Sequence, residues 1–189
     1  MLSITGGKWL RRRIETTSRE VTRYTPQSAR KALFDIIDVR ERSFMDLFSG
    51  SGIISFEAVS RGAARVVCVD VSKQSCRTIL NNRNSLDPEM KLEILCRDFR
   101  RVIPSLRKSG ESFDFVFADP PFDSEYVEPL LKTISNNEAI LKPGGLLIVE
   151  TSTREERELL PEAIPFVEIV DRKSYASIVF TFLARVSDE

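Results

Sequence analysis

From about residue 43 the chain alternates continuously apolar runs with helical stretches, and this rhythm constrains the fold more than any other feature. Phe44–Phe48, Arg65–Asp70, Leu92–Cys96, Phe113–Ala118 and Leu146–Glu150 read as strands, the last following a turn at Lys142-Pro143-Gly144-Gly145. Ile53–Ser60, Lys73–Asn84, a short piece near Phe99–Leu106 and Tyr126–Asn136 read as helices. Strands without polar alternation are apolar on both faces, so helices must cover both sides of a parallel sheet. The tail breaks the rhythm. Phe166–Asp171 and Ser177–Leu183, joined by a short polar segment, predict a hairpin that contributes one antiparallel late strand. The expected architecture is α/β, a doubly wound and mostly parallel sheet of seven strands.

Ahead of this body, residues 1–22 predict a short basic hairpin, with Ser3-Ile4-Thr5 and Arg12–Glu15 flanking a turn at Gly6-Gly7. A helix follows, with Thr25 as N-cap, Pro26 in the first position and Ala29, Leu33, Ile36 and Ile37 as its apolar stripe. Residues 23–189 are expected to form the main domain, since a chain of 189 residues at 42% hydrophobic fits a single core.

Composition excludes several classes. The sequence has no histidine, which removes Ser-His-Asp and Cys-His nucleophiles and HExxH zinc sites, and no metal centre is expected. Cys68, Cys76 and Cys96 are odd in number without CxxC spacing, the pattern of reduced thiols in a cytoplasmic protein. No apolar run reaches the roughly 20 residues of a membrane span, and the N-terminus lacks a secretory core. Net charge is zero but unevenly placed. Residues 1–31 hold Lys8, Arg11, Arg12, Arg13, Arg19, Arg23, Arg30 and Lys31 against Glu15 and Glu20, so 8 − 2 = +6, leaving −6 for the rest. A basic arm on an acidic body points to an anionic partner such as nucleic acid, with Lys8, Arg11, Arg12, Arg13, Arg23 and Arg30 as candidate contacts.

Ligands in doubly wound sheets bind beyond the carboxyl ends of the strands. Four such ends carry chemistry here. In Asp46-Leu47-Phe48-Ser49-Gly50-Ser51-Gly52 the glycines form a tight turn that lets backbone approach a ligand. Asp70, 20 residues past Gly50, can accept hydrogen bonds from both hydroxyls of a ribose. Asp98 can meet an adenine amino group while Phe99 covers a ring face. A nicotinamide dinucleotide also fits a glycine turn followed by an acid, but Asp46 would then sit near a pyrophosphate. It suits instead the cationic amine of a methionine moiety.

The fourth end, Asp119-Pro120-Pro121-Phe122, is the most informative. An amino group conjugated with a base ring is a poor nucleophile because its lone pair is delocalised. Asp119 Oδ and the Pro120 carbonyl can each accept one amino hydrogen and hold the nitrogen in line with a sulfonium methyl. The prolines, Pro120 and Pro121, fix those acceptors in advance, and Phe122 offers a face for an extruded base. No strong base is required, so the lack of histidine costs nothing.

Asp119–Phe122 resembles the Asn/Asp-Pro-Pro-Tyr/Phe motif of amino-group methyltransferases. Together with Asp46–Gly52, Asp70 and Asp98 in order, it makes the chain similar to class I, Rossmann-like methyltransferases. Gly6-Gly7-Lys8-Trp9, Arg23-Tyr24-Thr25 leading through Arg30 to Ala32-Leu33-Phe34, Glu150 and Lys173-Ser174-Tyr175 extend the likeness. Over nearly the whole chain it resembles the bacterial small-subunit ribosomal RNA guanine-N2 methyltransferase family (RsmD type). The resemblance implies S-adenosyl-L-methionine as methyl donor and a guanine N2 of 16S ribosomal RNA as acceptor. It also implies an assembled or assembling small subunit as substrate, and a cytoplasmic monomer. The chain departs from that pattern at Tyr24, usually proline, at Gln27, usually acidic, and at Ala176, usually glycine. From the residues alone, guanine N2, adenine N6, cytosine N4 and a glutamine amide remain equivalent. A DNA adenine-N6 methyltransferase and a non-catalytic nucleic-acid binder on the same scaffold stand as alternatives.

Overall fold

The computed structural model describes residues 1–17, 24–121, 126–153 and 164–186. The chain divides into two compact units, Met1–Asp98 and Phe99–Glu189. Strands β3 to β9 make up a seven-stranded mixed sheet.

The first unit contains β1 (Leu2–Ser3), β2 (Arg13–Ile14), α1 (Gln27–Ile36), β3 (Ser43–Leu47), α2 (Ile53–Ser60), β4 (Arg65–Asp70), α3 (Lys73–Leu86) and β5 (Leu92–Cys96). Strands β3, β4 and β5 run parallel, with Asp46 opposite Cys68 and Asp70 opposite Cys96. Phe44, Met45, Leu47, Val66 and Val67 are fully buried, as apolar strands covered on both faces require. Helix α3 shows the usual amphipathic pattern, burying Ser75, Cys76, Ile79 and Asn82 along one face. Helix α2 is different. All but one of its eight residues are buried, including Ser55, Glu57 and Ser60.

Glu57 and Ser60 hold the N-terminal hairpin. Glu57 Oε1 accepts from the Thr5 backbone N–H at 2.7 Å, and Ser60 Oγ donates to the Gly6 carbonyl at 2.6 Å while accepting from Trp9 N–H at 2.9 Å. A Cβ on Gly7, whose φ is +74°, would stand 1.8 Å from the Ser60 carbonyl oxygen. Gly6-Gly7 is therefore a point of close backbone approach to α2 as well as a bend, and Gly7–Trp9 form one 3₁₀ turn. Strands β1 and β2 are only two residues each, shorter than the sequence pattern suggests. The helix after the hairpin starts one residue late. Pro26 occupies its N-cap, and the Thr25 carbonyl accepts from the Arg30 guanidinium.

The second unit contains α4 (Phe99–Lys108), β6 (Phe113–Ala118), α5 (Val127–Ser135), β7 (Leu141–Ser152), β8 (Val167–Tyr175) and β9 (Ile178–Arg185). Strands β6 and β7 are parallel, and β9 is antiparallel to both β7 and β8. The Lys142–Gly145 segment, expected to be a turn, lies inside β7. Leu141 already pairs with Phe113, and the register then shifts before Leu146 meets Phe115, so the extra residues form a bulge. Lys142 Nζ lies 2.7 Å from Asp114 Oδ2 beside it. The β8–β9 turn is just Ala176-Ser177, with Ala176 at φ +55°. That conformation explains why glycine suits this position better. Among the described residues, no helix is long and apolar enough to cross a membrane.

Candidate active site

The glycine turn between β3 and α2 is stitched to β4 by Ser49. Its backbone N–H donates to the Val69 carbonyl at 3.1 Å, and its hydroxyl donates to the Asp46 carbonyl at 2.7 Å while accepting from Val69 N–H at 3.0 Å. Phe48, Gly50 and Gly52 take φ of +63°, +55° and +79°. A non-glycine residue at positive φ in such a turn marks stored backbone strain. A Cβ at Gly52 would press within 3.0 Å of Ile79 and Phe56 side-chain atoms, so the turn sits tightly on α2 and α3.

Asp70, at the end of β4, closes on this turn. One carboxylate oxygen accepts from Gly50 N–H at 2.8 Å and the other from Ser72 N–H at 2.7 Å. Each oxygen keeps lone-pair capacity, and the residue is only partly buried, so two hydroxyls can still reach it. Burial raises its pKa, against the lowering effect of those backbone bonds.

Asp46 lies beneath the turn rather than in its mouth. It is 1% exposed, and Oδ2 accepts from the Ser55 hydroxyl at 2.6 Å; Ser55 in turn accepts from the Cys68 thiol. Burial pushes the Asp46 carboxyl up to about 7, the charge of Asp70 adds to this, and the Ser55 hydrogen bond opposes it. Ser51 Oγ is buried with no hydrogen-bond partner among the described residues. A buried hydroxyl without a partner, in a turn whose Gly50 N–H is held by Asp70, leaves hydrogen-bonding capacity for a polar ligand.

Asn82 of α3 is a residue that sequence reasoning missed. Its amide accepts from Glu15 N–H at 2.8 Å and donates to the Glu15 carbonyl at 3.0 Å, and the same nitrogen reaches the Ser51 carbonyl at 3.5 Å. One buried side chain thus joins the hairpin exit to the glycine turn.

The remaining expected positions divide cleanly. Asp98 is half-buried just beyond β5. Phe99 is 4% exposed, packed edge-on against Tyr126 with ring centroids 6.5 Å apart and with Arg100 over its ring. Asp119 stands half-buried directly after β6, Pro120 is buried and Pro121 exposed, while Phe122 lies outside the described residues. Arg11, Arg12 and Arg13 are exposed on the hairpin. Lys8 is exposed and pairs with Asp87 at 3.2 Å. Arg23 lies outside the described residues. Arg30 does not sit with the exposed cations. It is 1% exposed, donates to the Thr25 and Ser3 carbonyls at 2.7 and 2.8 Å, and faces Glu57 at 3.6 Å, so it braces the hairpin from inside. Trp9, 7% exposed, is likewise packing.

The model of the family described as conserved hypothetical protein 95 matches residues 2–184. The chain belongs to this family. A relative named ribosomal RNA small subunit methyltransferase D, from Haemophilus influenzae, is 27% identical over 161 residues, 84% of this chain and 82% of its own. A solved structure from Escherichia coli superposes with a TM-score of 0.84, covering 99% of both chains at 21% identity. The solved protein SMU.776, complexed with S-adenosylhomocysteine, gives a TM-score of 0.67 at 16% identity, over 83% of this chain and 48% of its own. These superpositions make the fold that of the class I methyltransferases.

Proposed function

We propose that the chain transfers a methyl group from S-adenosyl-L-methionine to the exocyclic N2 of a guanine in 16S ribosomal RNA, in the cytoplasm and on an assembling or assembled small subunit. Family membership and the relatives named for small-subunit ribosomal RNA methylation support the reaction. The observation that carries the reading is the Asp70 carboxylate clamped by Gly50 and Ser72 N–H groups, a preformed ribose acceptor beside an orphaned Ser51 hydroxyl.

When bound, the donor supplies an electrophilic methyl on its sulfonium. Asp70 accepts the ribose hydroxyls, Asp98 meets the adenine amino group, and Phe48 with the Gly50–Gly52 turn shapes the wall. Phe99 backs the adenine side as a packed ring rather than an open stacking face. Asp46 supplies the negative field for the donor's ammonium. Asp119 Oδ and the Pro120 carbonyl accept the two amino hydrogens, which removes the lone pair from conjugation, and Asp119 takes the proton released after transfer. Arg11, Arg12, Arg13 and Lys8 contact RNA phosphate.

The ionisation of Asp46 gives a pH test. A carboxyl raised from 3.8 to about 7 binds a proton more tightly in the folded chain, so its contribution to stability is present at low pH and lost as pH rises through about 7. Ammonium binding needs the opposite form. S-adenosylhomocysteine affinity should therefore be flat above about pH 7 and fall up to about tenfold per pH unit below it. Calorimetry in buffers of different ionisation enthalpy should show proton release near pH 6, or about 1 unit below that pKa. An affinity independent of pH would remove Asp46 from the cofactor site.

Replacing Arg11, Arg12 and Arg13 together with alanine should weaken RNA binding and reduce the salt slope by up to about three phosphate contacts. An unmoved slope would leave the arm as mere solvated surface. The decisive assay is incubation with labelled S-adenosylmethionine and small subunits lacking the modification, followed by nucleoside analysis. Labelled N2-methylguanosine is expected. Label on DNA adenine alone would replace this reading with the N6 reaction.

A further inference from the structure

Two of the three cysteines converge at the rim of the ribose acceptor. Cys76 lies in the first turn of α3, is 9% exposed, and directs its Sγ to the Asp70 carbonyl at 3.6 Å. Cys96 ends β5, is exposed, and is the register partner of Asp70 itself. Cys76 on the helix and Cys96 on the neighbouring strand thus both border Asp70. Cys68, two residues before Asp70 on β4, is fully buried and bonded to Ser55. A solvent-facing thiol and a shielded one on either side of a single residue is the arrangement of a peroxidatic and a resolving cysteine.

We propose that Cys96 and Cys76 form a reversible oxidation site for hydroperoxides, and that closing their disulfide weakens cofactor binding at Asp70. The second half rests on the proposed role of Asp70; the first does not. The Cys96 sulfur attacks the distal peroxide oxygen, the O–O bond breaks, and Cys96 becomes a sulfenic acid as water or an alcohol leaves. The Cys76 sulfur then displaces the hydroxyl, the S–S bond forms, and the Cys76 proton departs with that hydroxyl as water. Two thiols and one hydrogen peroxide thus give one disulfide and two waters, the thiols losing two electrons and the peroxide gaining them. Cys96 is exposed and Cys76 buried, so Cys96 is the group the oxidant meets; burial, with the neighbouring Cys96, also pushes the Cys76 thiol up.

The consequence follows from the chain path. A disulfide holds its two sulfurs about 2.05 Å apart, closer than two free thiols can approach. The first turn of α3 must shift toward β5, and its N-cap Ser72 carries the N–H that holds Asp70 Oδ1. The same reaction removes the thiol donor to the Asp70 carbonyl. Both changes loosen the clamp.

The full-length protein is treated with stoichiometric hydrogen peroxide, alkylated and peptide-mapped, and S-adenosylhomocysteine affinity is measured calorimetrically before oxidation, after it and after dithiothreitol. The expected result is a Cys76–Cys96 linked peptide, with Cys68 alkylated only after unfolding, and an affinity reduced at least about tenfold and restored by reductant. Cys96→Ser should abolish both the link and the peroxide sensitivity. A Cys96 sulfinic acid beside a free Cys76 thiol, or a Cys96–Cys96 link between two chains, would overturn the site. A clean Cys76–Cys96 link with unchanged affinity would overturn its control of the cofactor. Reduced protein that binds no S-adenosylhomocysteine would refute that control together with the assignment of Asp70, while the peptide map still decides the chemistry.

Discussion

Replacing Asp119 with alanine should lower methyl transfer about a thousandfold or more, while S-adenosylhomocysteine affinity changes by less than about threefold. The residue follows the last apolar position of β6, and Pro120 and Pro121 restrict the backbone immediately after it. The proposed work of its carboxylate is confined to the acceptor amine: one hydrogen bond that raises the nitrogen's nucleophilicity, then a resting place for a proton. Neither contributes to holding adenosine. Asp119→Asn keeps one acceptor oxygen but no charge, so it should retain a measurable fraction of the rate. Single-turnover kinetics with saturating cofactor separates the two variants. A loss of cofactor affinity matching the loss of rate would move Asp119 out of the acceptor site.

The largest effect on stability is expected at Glu57. Its side chain is fully buried between Arg30, 1% exposed at 3.6 Å, and Arg61, 18% exposed at 3.5 Å, and it accepts the Thr5 backbone N–H. Alanine there strands the Arg30 guanidinium in the interior, and breaking a buried pair from one side costs about 3–5 kcal/mol. The midpoint of thermal unfolding should fall by roughly 10 °C for a chain of this size. The exposed Lys31–Asp35 pair, with side chains more than half exposed, is the matched control. Its removal should cost under about 0.5 kcal/mol. A combined Arg30→Met and Glu57→Leu variant should recover much of the loss, because a buried ion pair gains little over apolar packing. A Glu57→Ala loss below about 1 kcal/mol would mean water reaches the guanidinium.

The sheet was legible because its parallel strands are mostly apolar, with Phe44–Leu47, Val66–Val69 and Val116–Ala118 showing no polar alternation beyond Asp46. The strand ends then fixed where Asp70, Asp98 and Asp119 fall in the chain order, each at or just after a strand. What escaped are groups whose partners are distant backbone atoms. Arg30 counts as one more cation in a basic arm until the Ser3 carbonyl, 27 positions away, is seen to accept its proton. Asn82 is an unremarkable polar residue on an amphipathic helix until Glu15, 67 positions away, presents its amide to it. Glu57 did carry a signal. A lone acid in the otherwise small and apolar run Ile53–Ser60 has nowhere solvated to point, and so must have a buried partner. Lys142–Gly145 misled because Pro-Gly-Gly suits a bulge as well as a turn, and only pairing across the sheet tells them apart.

The single amide of Asn82 has a thermodynamic consequence. Because it grips Glu15 on the arm and reaches Ser51 in the glycine turn, any displacement of one end is felt at the other. With RNA on the arm and adenosine in the turn, as proposed, linkage makes any coupling symmetrical: the factor by which one ligand changes the other's affinity acts equally in reverse. Under that proposal the order of arrival is open to concentration, while the free energy of holding both is the same by either route.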